Sequence, residues 1–365
     1  MTGFARSTVA LRIDALIGQG LVRSVGDAVS TGGRPSAQLV FNTTGRVVLA
    51  VDVGASHIKL AVCDLLGNSL EEQQVDIAVA EGPDVVLRWV ETTGDALLAA
   101  AGRTARDLLA VGVGLPGPVE YSSGRPINPP IMPGWNRYDV AGRLSQHFGT
   151  PVLVDNDVNI MALGEREFAW PEVDHLLFVK VATGIGSGVI SGGQLQRGAQ
   201  GTAGDIGHVS VSRGRDILCR CGNKGCLEAL AGGPALARAL SETSDGVTTV
   251  QDVVDLLRHG NVDAIQAVRQ AGRDVGEVLT TCVSLINPSV IVIDGAMAQA
   301  GEHFIAGVRE MVYSRSMPLA TEHLQIIQSK AGARAAILGA SMLAIQFAFS
   351  PDRVEELVLA GRLPA

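Results

Sequence analysis

Cysteine is scarce in this chain of 365 residues: five in all, too few for a disulfide-stapled secreted scaffold. Aromatic side chains are few as well, with three Trp, three Tyr and eight Phe. No apolar run reaches the ~20 residues that span a bilayer. The first residues lack a basic stretch followed by an apolar core and a cleavage site, so no signal peptide is expected. The expectation is a soluble, cytoplasmic protein with no membrane partner. A basic excess is also missing. Lys and Arg number 29 against 37 Asp and Glu, for a net charge of -8. That excludes a polycation that wraps nucleic acid along its whole length, but not a small basic module on an acidic body. Glycine is abundant at 44, and apolar residues make up 47% with 18% charged. Such a chain can bury sizeable cores, is not globally disordered, and has the length of two or three domains.

The charge is unevenly spread. Residues 1–42 carry Arg6, Arg12, Arg23 and Arg34 against Asp14 and Asp27, a net of +2, which leaves -10 on the other 323 residues. Ser7–Ile17 reads as a helix with Val9, Ile13, Leu16 and Ile17 on one apolar face, Ser7 available as its cap and Gly18–Gly20 as its stop. A strand starting at Leu21, a turn over Ser30–Pro35 and a returning strand Gln38–Phe41 follow. This helix and hairpin are too small to bury a core alone and need either the body or further chain.

From Gly45 the pattern changes to short aliphatic runs ending in glycine or acidic turns. Val47–Asp52, Ile58–Cys63, Gln73–Ile77, Leu109–Gly114 and Val152–Val154 read as strands, with helical patterning over Pro83–Arg106 and from Asn159 to Phe168. The order then restarts with a strand His175–Val181, a glycine turn and Val189–Ile190. A long helix over Val250–Ile286, a strand Val290–Ile293 and a final helix Gly332–Phe349 complete it. Two blocks that each open with strand, glycine turn and strand predict two α/β lobes with a cleft between them. Cys63 and Cys282 sit alone in apolar context and read as buried small hydrophobes.

The other three cysteines fall within eight residues. His208 is separated by ten residues from Cys219-Arg-Cys-Gly-Asn-Lys-Gly-Cys226. Three thiolates and one imidazole suit tetrahedral Zn2+, and Gly222 and Gly225 let the backbone curl around one centre. Four protein ligands leave no open position, so the ion is expected to be structural. Folding around it would hold the neighbouring carboxylates Asp205 and Glu228 near one place.

Asp52-Val-Gly-Ala-Ser56 and Thr183-Gly-Ile-Gly-Ser-Gly188 fall at matching places in the two blocks. Each can hold a phosphate through backbone N–H groups or be an ordinary hairpin turn, and neither fits the common nucleotide-binding patterns. Asp157 follows a strand within Asp155-Asn-Asp-Val-Asn159. A carboxylate there can take the proton of a sugar hydroxyl as a general base for phosphoryl transfer, or simply accept its hydrogen bond. Asn128, Asn156, Asp205, His208 and Glu228 are further polyol partners, although Asn128 also suits a plain turn before Pro129.

Together these features resemble the ROK family of sugar kinases and sugar-responsive repressors. The specific part is Cys219-x-Cys221-Gly-x-x-Gly-Cys226-x-Glu228 with Gly207-His208 upstream. The resemblance implies an α/β fold of the actin-like, two-lobed ATPase type (ribonuclease H-like) and homodimers or homotetramers. It implies that His208, Cys219, Cys221 and Cys226 ligate structural zinc. It also implies that Asn156, Asp157, Asp205, His208 and Glu228 contact the sugar, with Asp157 at the position of the catalytic base. Asp52, Gly54, Ser56, Thr183, Gly184, Gly186 and Asp294-Gly295 would form the nucleotide-binding turns. Residues 1–42 resemble the end of a winged helix-turn-helix: Thr2–Ala5 the turn, Arg6–Ile17 the recognition helix and Gly32–Pro35 the wing. Arg6, Ser7, Thr8 and Arg12 would then meet bases or phosphates of the major groove, and Arg34 the minor groove. The expected domains are this partial module (1–42), a first lobe (43–165), a second lobe with the knuckle (166–330) and a C-terminal helix returning to the first lobe (331–365).

Three departures from the family pattern bear on function. The first two helices of a winged domain would lie before Met1, so a complete repressor is expected to carry about 40–60 further residues there. The phosphate turn reads Gly54-Ala-Ser-His57 where active kinases have Gly-Gly-Thr-Lys or Gly-Gly-Thr-Asn. Asp205 stands in place of a glutamate, and Asp294 in place of a glycine. The expected function is a sugar-responsive transcriptional regulator, a repressor. It takes a monosaccharide or sugar derivative as effector and binds operator DNA once the winged domain is complete. The alternative is an ATP-dependent, glucokinase-like sugar kinase using Mg2+, with Asp157 as base. A third reading is a non-catalytic sugar-binding protein that has lost DNA binding.

Overall fold

The computed structural model describes residues 5–27, 37–299 and 301–360. The N-terminal segment is helix α1 (Arg6–Gly18) and an antiparallel pair, β1 (Val22–Asp27) with β2 (Ala37–Phe41). Ala5, not Ser7, takes the N-cap position, and no side chain caps the helix. Arg34 and the turn around it lie outside the described residues, as do Thr2–Phe4.

The first lobe is built from β3 (Val47–Val53), β4 (Ile58–Cys63), β5 (Ser69–Val75), α2 (Pro83–Ala100) and β6 (Leu108–Leu115). A small ribbon of β7 (Val119–Glu120) and β8 (Arg125–Pro126), then α3 (Val140–Phe148) and β9 (Val152–Asn156), complete it. Its sheet runs β5-β4-β3-β6-β9. β6 is apolar along its whole length because helices cover both faces of the sheet. Helix α4 (Asp157–Ala169) then leads into the second lobe. That lobe holds β10 (Leu176–Val181), β11 (Ile185–Ser191), β12 (Gln194–Gln196), α5 (Leu227–Ala231), α6 (Gly233–Ser241), α7 (Val250–Arg258) and α8 (Val262–Ile286). It continues with β13 (Val290–Asp294), α9 (Ala296–Gln299), α10 (Glu302–Arg315), α11 (Pro318–Thr321) and β14 (Gln325–Gln328). Its sheet, β12-β11-β10-β13-β14, repeats the topology of the first: three antiparallel strands, then two parallel additions. This is the actin-like two-lobed α/β fold expected from the repeated blocks.

Two helical expectations change. The single helix over 250–286 is broken at Gly260, whose φ of 72° suits a residue without Cβ, and Asn261 caps α8 through the Ala264 N–H at 2.9 Å. The final helix α12 (Ala335–Ala348) does not end the chain's order, because α13 (Pro351–Ala360) follows it. Cys63 is fully buried as expected, whereas Cys282 is only half-buried on α8.

The lobes meet where α4 crosses α12. A Cβ on Gly164 would overlap the Ala335 carbonyl oxygen, and one on Gly339 the Ile160 carbonyl oxygen. The helices therefore approach backbone to backbone. One apolar cluster runs through this crossing, from Val48 and Ala61 of the first sheet past Ile160 and Ala340 to Phe178 and Val292 of the second. Helix α4 thus extends through the 165/166 division expected from the sequence. Glu165, fully buried there, accepts hydrogen bonds from Ser329 Oγ (2.7 Å), the Lys330 N–H (3.0 Å), the Ala331 N–H (2.9 Å) and Trp170 Nε1 (3.3 Å). Four donors compensate the loss of water around one carboxylate and lock the entry to α12 onto α4. Beyond α12, the N-terminal segment packs on α13. Arg12 meets Glu355 through two contacts of 2.9 and 3.1 Å, and the Phe41 ring meets Phe349 edge-on at 5.3 Å.

Gly339→Val is expected to destabilise the protein by about 3 kcal/mol or more, since neither backbone can retreat. Gly18→Ala, with open space around it, should be close to neutral. Thermal melts of both variants check this; equal midpoints would contradict the close crossing.

Candidate functional site

Between the lobes lies a cleft of about 360 Å³. Its walls come from the β3–β4 turn (Gly54–His57), the start of α4 (Asn156–Asn159), the β10–β11 turn (Lys180–Ser187) and the Gly201–Asp205 loop, with His208, Arg220 and Glu228. Every turn stands at the end of a strand, where the parallel pairs β3/β6, β6/β9 and β10/β13 leave a crevice.

The floor is set by the first turn of α4. Asn156 caps it: its Oδ1 accepts the Val158 N–H (2.9 Å), and its Nδ2 donates to the Gly117 carbonyl (2.9 Å). Asp155 beneath is 2% exposed and accepts from Arg197 Nε at 2.6 Å and Asn159 Nδ2 at 2.8 Å. Arg197 also stacks on the Tyr121 ring at 3.9 Å, so a residue of the second lobe braces the first at the rim of the site. Asp157 is buried and points one oxygen at Lys180 Nζ, 2.8 Å away. Burial alone would lower the Lys180 pKa; Asp157, Asp52 and Asp294 together outweigh it and raise it, so this lysine stays charged. Lys180 was not singled out from the sequence. Its signal was there: one charged residue closing the apolar strand Leu-Leu-Phe-Val-Lys-Val, just before the glycine turn.

The knuckle lies beside this cleft. Ligand atoms of His208, Cys219, Cys221 and Cys226 all fall within 4.8 Å of one another. His208 Nδ1 is 3.7 Å from Cys219 Sγ, and the Cys221 and Cys226 sulfurs are 3.6 Å apart. Four ligands held ~2.3 Å from one ion would form a tetrahedron with edges of ~3.8 Å, so the cluster can coordinate a metal. Gly222 and Gly225 take φ of 93° and 84°, the curl that lets three thiols converge. Burial pushes the Cys226 thiol up to about 12, so bringing thiolates together there calls for a compensating cation.

The structure brings Asn156, Asp157, Asp205, His208 and Glu228 to one cavity, with Gly54, Ser56, Thr183, Gly184 and Gly186 on its wall. Asn128 does not join them. It is exposed, with φ of 44°, and its N–H goes to Asn136 Oδ1 at 2.9 Å; it is a turn residue. Asp52 and Gly295 stand behind the lining, Asp52 against His57 Nε2 at 3.7 Å. Of the residues expected to meet DNA, Ser7 is exposed and Thr8 half-buried on α1, while Arg12 is engaged with Glu355.

The family model described as "ROK family" matches residues 48–347. The chain belongs to the ROK family. Among its relatives, the xylose repressor of Caldicellulosiruptor bescii is 28% identical over 93% of this chain and 88% of that protein. Among solved structures, a ROK family transcriptional regulator described as a homologue of the Escherichia coli MLC protein superposes with a TM-score of 0.81. It covers 98% of this chain and 92% of its own at 24% identity, a likeness of fold. The ROK hexokinase of Thermus thermophilus, at 30% identity, gives 0.70 over 81% of this chain and 97% of its own. This ROK protein is therefore related both to sugar-responsive repressors and to sugar kinases. Among its described residues no single helix is long and apolar enough to cross a membrane.

In the ROK cleft, Asp52 raises the pKa of His57 above its ordinary 6.5. The protonated ring is thus favoured by folding. That contribution is complete below about pH 6.5 and fades as pH rises through the elevated value. NMR titration of the His57 ring should give a midpoint above 6.5, and Asp52→Asn should lower it. An unchanged midpoint in the variant would rule out this pairing.

Proposed function

We propose that this ROK protein is a sugar-responsive transcriptional regulator, a repressor, that binds a monosaccharide or sugar derivative between its lobes. The observation that carries the reading is the N-terminal helix and hairpin. It lies ahead of the family match at residue 48, and the two regulators extend over 93% and 98% of the chain against 81% for the hexokinase. In this reading α1 and the hairpin contact operator DNA through Arg6, Ser7, Thr8, Arg12 and Arg34, with Arg12 exchanging Glu355 for a phosphate. The protein works as a homodimer or homotetramer, so that lobe closure alters the spacing of two DNA-reading modules.

In the cleft, Asp157, Asp205 and Glu228 accept hydroxyl hydrogen bonds, and Asn156 and His208 complete the polyol set. The metal of the knuckle is zinc with a structural role. His208 belongs to both sets, so the ion fixes one wall of the sugar site. A second reading, an ATP-dependent sugar kinase, is favoured by one observation: Asp157 lies at the cleft floor with the start of α4 aiming it inward. There it would accept the hydroxyl proton during attack on the γ-phosphate of Mg-ATP.

Calorimetry with a sugar panel, paired with an ATP-turnover assay, separates the two. Sugar binding without sugar-dependent ATP consumption is expected. Sugar-dependent turnover abolished by Asp157→Asn would overturn the regulator reading. Glu228→Gln and Asp205→Asn should each weaken sugar binding by roughly tenfold or more, the loss of one charge-assisted hydrogen bond. Elemental analysis should find one zinc per chain. Cys226→Ser should lose the zinc and weaken sugar binding with it; sugar affinity unchanged in a zinc-free variant would refute the structural role.

A further inference from the structure

Asp205 is exposed and lines the cleft, and among the described residues no donor holds its carboxylate. Where that carboxylate points is therefore set by the backbone that carries it. That backbone is the strap 197–205, which leaves β12 of the second lobe. At the Asp205 end the strap is tied to its own lobe. The Gly204 carbonyl accepts from the Ser187 N–H at 2.9 Å and from Ser187 Oγ at 2.7 Å, and a Cβ on Gly204 would meet the Ser187 carbonyl oxygen at 2.1 Å.

At its root the strap is tied to the other lobe. Arg197 Nε donates to Asp155 Oδ2 at 2.6 Å, and the guanidinium lies over the Tyr121 ring at 3.9 Å. Midway, Gly201 takes φ of 90° and sits so close to β7 that a Cβ would meet the Val119 carbonyl oxygen at 2.4 Å. The Arg197 carbonyl accepts the Ala203 N–H at 3.1 Å, which joins the root to the Asp205 end. The anchor itself belongs to the sugar site. Asp155 is 2% exposed, accepts also from the Asn156 N–H and Asn159 Nδ2, each at 2.8 Å, and lies two residues ahead of Asp157. Arg197 thus grips the turn that carries Asn156 and Asp157. Its planar guanidinium donates and stacks at once, which a lysine cannot do.

We infer that Arg197 is a positioning residue of the sugar site: it ties the strap to the turn before α4 and so sets where the Asp205 carboxylate meets a sugar hydroxyl. This deepens the sugar-responsive reading and rests on its sugar site. A sugar held between Asp157 and Asp205 spans the two lobes, and a hydroxyl–carboxylate hydrogen bond weakens steeply once its distance or angle drifts. Without the tie, the strap gains conformational freedom that binding must remove again.

The test is calorimetry on the full chain with D-glucose, D-xylose and N-acetyl-D-glucosamine, continued with the tightest binder of the three. Removing Arg197 alone would leave Asp155 buried and uncompensated, so Arg197→Met is combined with Asp155→Asn, and a thermal melt checks folding. The pair should weaken sugar binding about tenfold, the worth of one charge-assisted hydrogen bond. In an Asp205→Asn background the same pair should cost less than about threefold, whereas in Glu228→Gln it should still cost about tenfold. Tyr121→Leu leaves the ion pair in place and should weaken binding about threefold through loss of the stack, an effect that Asp205→Asn should mask. A merely structural role would lower affinity alike in both backgrounds, and that outcome overturns the inference. A folded double variant with unchanged affinity overturns it too. If the double variant does not fold, Tyr121→Leu decides: a loss masked by Asp205→Asn supports the inference, and an unchanged affinity or an unmasked loss overturns it. Each of these leaves the sugar-responsive reading standing. Failure of all three sugars on the unaltered chain overturns both.

Discussion

The two lobes depend on one contact, the crossing of α4 and α12 at Gly164 and Gly339, where no Cβ separates the backbones. Such a contact packs the two helices backbone to backbone. Each helix also leads somewhere. The first turn of α4 is the floor of the cleft, with Asn156 and Asp157. The end of α12 passes to α13, on which α1 rests through Arg12 and Glu355. The candidate effector site and the candidate DNA-reading segment are therefore both attached to this helix pair. Closure around a ligand would carry α4 and α12 together, and that movement would reach the N-terminal segment. The buried Glu165, with its four donors, makes the connection stiff.

The cleft itself is a balance of charges. Asp157 and Lys180 form its central pair, Asp52 and His57 a second, and the knuckle holds a third group of thiols and imidazole at the wall. These pairs can orient a polyol through hydroxyl hydrogen bonds, and Arg220 lines the same cleft beside them.

Much of this was legible in the sequence. The knuckle was, because cysteines at such short spacing with two glycines have few other uses. The two sheets were, because β3, β6 and β10 are nearly continuous aliphatic runs and open each block in the same order. The acidic loop at 155–159 was placed at the cleft, although its asparagine caps a helix as well as facing the cavity. What escaped the sequence depends on contacts between distant segments. Lys180 gains meaning from Asp157, and Arg12 from Glu355, 343 residues away. The division at Gly260 escaped because the apolar period of α7 continues into α8 and hides a single left-handed glycine. Asn128 looked like a polyol ligand by residue type, and the structure places it in an exposed turn with φ of 44°.

The central claim is that sugar in the cleft governs DNA binding through the α4–α12 pair. Fluorescence anisotropy tests it most directly, with DNA from the protein's own genomic neighbourhood titrated with and without the cleft sugar, on this chain and on one extended by the codons upstream. The account expects sequence-specific binding whose affinity shifts at least tenfold on adding sugar, about 1.4 kcal/mol of coupling, with the shift lost in Glu228→Gln. Specific DNA binding that sugar leaves unchanged, or no specific binding by either chain, would contradict it.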